Sequence, residues 1–192
     1  MYKRQAKSVE ITNLDASPRT VTEAGSVSGK MRVFADTIAA GTGDIDNDDV
    51  LMMAEIPSNA KVMSIKIFND DLDSNGSPTL AANVGLYVGQ TKFTDTDGSS
   101  TAYAAGAVID EDCYASAITT LQAANTAGVE VAFEARNVNA IANFAWEDGG
   151  LTSDPAVPLR IALTMSNVAA TAAAGDVTTV SYTHLRAHET RP

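Results

Sequence analysis

Histidine is almost missing from this chain, with only His184 and His188 near its end, and Cys113 is its one cysteine. A lone cysteine closes no intrachain disulfide and builds no cysteine zinc cluster, and it reads as a small buried apolar residue rather than a reactive thiol. Aromatic residues make up 6% of the sequence, so the core has to be assembled from Val, Ile, Leu and Met with many alanines. That composition packs thin strands rather than bulky helices. Basic residues are scarce too: 13 Lys and Arg face 24 Asp and Glu, a net charge of −11 at pH 7. Such a surface repels phosphate backbones and anionic lipid, which argues against nucleic acid and membrane as partners. No stretch reaches the roughly 18 apolar residues expected of a membrane-spanning helix, and no signal-peptide pattern is visible. The length suits one domain with a real core.

Both ends read as sequence of another origin. Residues 180–190, VSYTHLRAHET, resemble one reading frame of the transposase adapter used to build sequencing libraries. The opening MYKRQ resembles the reverse complement of the same adapter, with its first codon used as a start. Scars of this kind are set aside before fold reasoning. The expected organisation is adapter-derived residues 1–5, an extended N-terminal arm over 6–29, a C-terminally truncated β-sandwich domain over 30–179, and adapter-derived residues 180–192. Without Lys3, Arg4, Arg186, Arg191 and Glu189 the balance is 9 basic against 23 acidic residues, net −14. Both histidines leave as well, so neither a nucleophile–histidine pair nor a histidine metal site can be assembled. The alternative is a native basic tail, in which the two histidines return as candidate ligands. A strand lost after Thr179 would leave its neighbour with an open edge and destabilise the domain.

From Lys30 onward, short apolar runs recur between turn clusters rich in Gly, Asp, Asn and Pro, at 31–38, 50–56, 61–68, 84–88, 129–135, 141–146 and 159–165. In VEVAFEA, Val129, Val131 and Phe133 alternate with Glu130, Ala132 and Glu134. In LRIALTM, Leu159, Ile161, Leu163 and Met165 oppose Arg160, Ala162 and Thr164. This is the period of antiparallel strands with one face on a core. DVLMMAEIP has no polar break before Glu55, which predicts a strand deep in a sheet, ended by Pro57. Only 110–128 shows helical spacing, through Tyr114, Ile118 and Leu121, and the β-branched pair Thr119 and Thr120 weakens it. The predicted class is all-β: an antiparallel sandwich of jelly-roll type with one short helix and an extended N-terminal arm.

Motifs for chemistry are sparse. The glycines of GTGDIDNDD are followed by acids where a phosphate would need a lysine and a helix N-terminus. In DLDSNG, Asp71, Asp73 and Asn75 stand at alternate positions before Gly76, the opening half of a calcium loop. The twelfth position is Ala82, where a bidentate Glu is required, so turns bonded to their own backbone are the favoured reading. Asp44, Asp46 and Asp48 have no glycine behind them, and Asp95–Gly98 is a hairpin-turn signal. Calcium is the one metal considered, and no other cofactor is expected. A carbohydrate- or receptor-binding module would use Trp146, Phe144, Tyr87, Tyr103 or Tyr114 as platforms, although Phe144 and Trp146 read first as core residues on one face of a strand. A hydrolase would need Glu130, Glu134 and Glu147 in one cleft with raised proton affinity.

Three stretches in order, DVLMMAEIPSNAKVMSIKIF, NVGLYVG and LRIALTMSNVAATAAAGDVTT, resemble a class of tailed-phage virion proteins known from environmental virus sequences. In that class an apolar strand leads to a P-x-x-A-x-V turn, a glycine-containing strand follows, and A-T-A-G-x-(V/L) precedes the last strand. Pro57, Ala60 and Val62 match the first element. Thr171, Ala172, Gly175 and Val177 match the last, with two extra alanines inserted before Gly175. The resemblance spans about Lys30 to Thr179. It implies a non-enzymatic capsid decoration, or cement, protein on the outer capsid surface of a virion. It further implies a phage major capsid protein as partner, a trimer of jelly-roll domains, and an arm reaching over neighbouring subunits.

Overall fold

The computed structural model describes residues 16–18, 29–95 and 101–186. Its strands are β1 (Gly29–Ala40), β2 (Val50–Pro57), β3 (Lys61–Asn69), β4 (Ala81–Val88), β5 (Phe93–Thr94), β6 (Ala102–Tyr103), β7 (Val108–Ile118), β8 (Asn125–Glu130), β9 (Pro158–Asn167) and β10 (Gly175–Arg186). β5 and β6 form a small hairpin, and the other eight make two four-stranded sheets ordered β1-β10-β3-β8 and β2-β9-β4-β7. Within those eight, the first pairs with the last, the second with the seventh, the third with the sixth and the fourth with the fifth, all antiparallel. Nested pairing of this kind results when one long two-stranded ribbon rolls into two facing sheets, which is the jelly-roll arrangement. The chain is the all-β sandwich that its short apolar runs predict.

On β9, Leu159, Ile161, Leu163 and Met165 are fully buried as their period requires, but Ala162 and Thr164, which oppose them together with Arg160, are buried as well, so of those three only Arg160 reaches solvent. With Val84 and Leu86 of β4 in the same sheet, the apolar residues of β9 meet Val62, Ile65 and Ile67 of β3 and Val177 of β10 across the sandwich in one core. Cys113 packs against the same core, as a small apolar residue does.

Four local expectations are corrected. β8 stops at Glu130, and Val131–Ala135 turn away as a loop. Glu130 itself bends the chain there, its Oε1 accepting the N–H groups of both Ile65 (2.9 Å) and Ala132 (3.0 Å). Tyr114 and Ile118 lie on β7, and helix in 110–128 is reduced to one 3-10 turn, Thr120–Gln122, burying Leu121. The β-branched threonines and a strand partner in β4 override the helical spacing there. Residues 141–146 form no strand: a 3-10 turn (Val138–Ala142) leads into a single α-helical turn, Ala145–Asp148, so Phe144 and Trp146 share no strand face. β2, read as deep in its sheet, is an edge strand. A bulge between Met52 and Ala54 turns Met53 and Ala54 inward together, which accounts for an apolar run without alternation. Pro57 ends it as expected.

β10 runs past Thr179 to Arg186, so Val180–His184, expected to be adapter-derived, lie between β1 and β3 and occupy the place where an open edge was expected. His184 stands opposite Met31 and Lys61. His188 lies outside the described residues, as does the arm apart from Ala16–Pro18 and Gly29.

Candidate functional site

At one end of the sandwich the β1–β2, β3–β4, β7–β8 and β9–β10 loops are stitched together around Asp73. Its carboxylate accepts four backbone N–H groups, from Thr79 (2.7 Å), Leu80 (3.0 Å), Ala170 (2.9 Å) and Thr171 (2.8 Å). The side chain is buried, which by itself would raise its proton affinity, but these four donors outweigh burial and hold the carboxyl far below the usual carboxylate range. Around this node Asp73 bridges Ala172, Ser74 N–H donates to Thr171 O, and Ala173 N–H donates to Leu72 O. Leu72 N–H reaches Leu121 O, and Asp48 N–H reaches Met165 O.

Asp71 and Asn75 complete the sequence-predicted calcium set, and the structure gives each a turn role. Asp71 Oδ1 accepts from Asp73 N–H (3.0 Å), Asn75 Oδ1 accepts from Ser77 N–H (2.9 Å), and Asn75 Nδ2 donates to Thr171 Oγ1 (2.9 Å). The first two are Asx turns bonded to their own backbone, and the third ties the loop to Thr171 of the β9–β10 loop. Asp44 likewise accepts from Gly41 N–H (2.8 Å). Among the described residues no group of three or more His, Cys, Asp or Glu is arranged to hold a metal ion. The four loops carry the aspartates of GTGDIDNDD and DDLD and neither Lys nor Arg, so this end of the molecule is uniformly negative.

The two elements of the phage resemblance acquire physical roles here. Ala60 N–H closes a turn on Pro57 O (3.0 Å), Ala60 O accepts from Ala145 N–H (2.8 Å), and Val62 enters the core. Thr171 and Ala172 dock on Asp73, and Gly175 follows because a Cβ there would stand 2.7 Å from Asp70 Cβ.

A second polar cluster lies inside the opposite half and was missed from sequence. Arg136 is buried and ion-paired with Asp148 (2.6 Å), while its Nε donates to Ala132 O (3.2 Å) and its Nη2 to Val62 O (2.7 Å). The guanidinium stacks over Tyr114 (5.0 Å to the centroid) and Phe133 (4.6 Å). Burial raises the Asp148 carboxyl to about 6, with Arg136 opposing the rise. Burial also pushes the Cys113 thiol and the Tyr114 phenol well above their ordinary values, which keeps both protonated and unreactive. The available signal was that Arg136 is the one basic residue between Lys92 and Arg160.

The remaining candidates are dispersed. Tyr87 is buried with its hydroxyl on Thr164 Oγ1 (2.5 Å), Tyr103 stacks on Phe93 (4.9 Å), and Lys61 lies over Phe144 (5.1 Å). Trp146 is half-buried in the helical turn. Glu130 is taken up by Ile65, Ala132 and the Ser64 hydroxyl, Glu147 Oε2 accepts from Phe144 N–H (2.7 Å), and Glu134 is exposed.

No protein-family model matches the chain, and no curated protein matches it either. Among solved structures, a chain of the cyanophage Pam1 capsid asymmetric unit aligns with a TM-score of 0.55 at 22% identity, over 87% of this chain and 93% of that one. A chain of the capsid of Ralstonia phage GP4 aligns with a TM-score of 0.55 at 18% identity, over 84% and 87%. At these identities the likeness is one of fold: the same architecture recurs, nearly end to end, in chains taken from two phage capsids.

Proposed function

We propose that this chain is a non-enzymatic structural protein of a phage virion, acting as a decoration or cement protein that stabilises the head. The observation that carries the reading is the near-complete alignment with chains of two phage capsids. Two of the three carboxylates that a hydrolase would use support it, since Glu130 and Glu147 are bonded to nearby backbone N–H groups. In this reading the partner is the phage major capsid protein, copies associate as trimers on the outer surface, and affinity comes from many copies acting together. The negative end formed by the loops around Asp73 faces outward, away from packaged DNA. Neither nucleic acid nor membrane is a partner, and no cofactor is needed. Residues 6–29 serve as the arm, and residues 1–5 and 180–192 come from the sequencing adapter.

The test is reconstitution. Shells assembled from the major capsid protein encoded beside this gene are incubated with the purified chain, sedimented, and heated. The reading requires saturable co-sedimentation, density on the shell exterior in electron cryomicroscopy, and a higher temperature of shell disruption. Failure to bind shells, combined with recovery of the chain in tail or fibre fractions of the virion, overturns it in favour of a receptor-binding module.

A further inference from the structure

Each sheet of the sandwich ends in two edge strands, and three of the four are protected by familiar means. β2 carries the bulge at Met52/Ala54 and finishes at Pro57. β7 breaks register with β4 at three places. β8 keeps only three register partners on β3. Bulges, prolines and short strands all discourage pairing with another chain. β1 has none of them. It holds twelve consecutive partners on β10 without a register shift, and residues 30–37 are exposed on both faces. Met31 is 63% exposed, Val33 57% and Phe34 38%. Among the described residues nothing pairs with its other side.

We infer that β1 is an interface for a second copy of this chain, pairing antiparallel with β1 of that copy and joining two four-stranded sheets into one of eight. The order of side chains makes the strand complementary to itself. Centred on Val33, antiparallel pairing sets Lys30 opposite Asp36 of the second copy, and the two-fold axis repeats the pair. On the other face Met31 meets Ala35 and Val33 meets Val33. A shift to Phe34 as the centre sets Arg32 opposite Asp36 instead, so the basic end of one strand meets the acidic residue of the other in both registers. Parallel pairing in register stacks Lys30 on Lys30 and Asp36 on Asp36, and like charges directly opposite are destabilising. An isologous contact of this kind closes on itself as a pair rather than a filament. It leaves a trimer free to form through other surfaces, and it stands or falls independently of the capsid reading.

Sedimentation equilibrium of the full chain tests this, with far-UV circular dichroism confirming the fold of each variant. The expected result is a concentration-dependent mass corresponding to an even number of chains. Asp36→Lys, which sets Lys against Lys and Arg, weakens that association about tenfold or more, since two opposite-charge pairs become two like-charge pairs. The triple variant Lys30→Asp, Arg32→Asp, Asp36→Lys restores it. A mass of one or three chains at every concentration overturns the inference. So does unchanged association of Asp36→Lys, or a folded triple variant that fails to recover association.

Discussion

A carboxylate that accepts four backbone N–H groups has no use for an amide in its place, because one of its two acceptor oxygens becomes a donor aimed at donors. Asp73→Asn therefore lowers the melting temperature, and the loss is larger than for Asp71→Asn, whose single bond to Asp73 N–H stays within one exposed turn. Of the three shifted aspartates, Asp73 acts on pH dependence in one direction, and Asp110 and Asp148, both raised by burial, act in the other. Asp73 has a lowered folded pKa, so its contribution is present above the ordinary carboxylate value of about 3.9 and is lost as pH falls below it. Asp148 has a raised folded pKa of about 6, so the fold favours its protonated form; that contribution is full below about 3.9 and disappears as pH rises through 6. Urea midpoints measured from pH 7 down to pH 4.5 should rise in the parent more than in Asp148→Asn, and an identical slope in both would place the titration elsewhere. Arg136→Met strands Asp148 and two backbone carbonyls in the interior and costs about 3–5 kcal/mol in the same assay. The double change Arg136→Met, Asp148→Leu costs less than Arg136→Met alone, because no uncompensated charge stays buried. The isolation of Arg136 among acidic and apolar residues was the one signal in the sequence, and its partner was not legible, since an ion pair between residues twelve apart becomes visible only when the intervening chain loops back.

At the level of elements the sequence announced β1, β2, β3, β4 and β9, but it read β7 as partly helical and expected a strand at 141–146 that does not form. Periodic stretches such as LRIALTM became β9 as read, whereas VEVAFEA and ANFAW did not extend as strands because Glu130 and Glu147 divert the chain by bonding backbone N–H groups nearby. The glycine of NVGLYVG has a close-contact reason: a Cβ on Gly85 would stand 2.1 Å from Asp110 O and 2.3 Å from Glu111 C. Gly85→Ala must therefore push β7 off β4, and a destabilisation of about 1–3 kcal/mol or more is expected from thermal unfolding. Ala117 shows the converse, with φ of 51° and its N–H held by Asn83 Oδ1 (2.8 Å). Ala117→Gly relieves that left-handed conformation and should raise stability by about 0.5–1 kcal/mol, a gain that a lowered melting temperature would contradict. Val180–His184 fill the strand between β1 and β3. A chain ending at Thr179 is accordingly expected to lose its cooperative thermal transition.

For the whole molecule, charge and topology determine behaviour together. A net charge of −11 at pH 7 makes the folded chain repel itself, most strongly at the loops around Asp73, where aspartates cluster without a basic residue. Raising sodium chloride from about 20 mM to about 200 mM shortens the screening length to about 7 Å, and the melting temperature should rise; a fall would mean that ion pairs such as Arg160–Glu55 outweigh the repulsion. The sequence by itself determined the all-β class, because turn clusters separating short alternating runs leave no room for long helices. It also determined the acidity and the lack of a cysteine framework, which are counts and need no geometry. Only the tertiary structure decided that the eight strands pair first with last in a rolled ribbon, since register and partner choice depend on contacts far apart in sequence. It likewise decided that Asp73 ties loops, that Arg136 lies inside, and that β1, among the described strands, is left as the one long unprotected edge. Each of these is fixed by where the chain returns to, and the local residue pattern carries no record of that return.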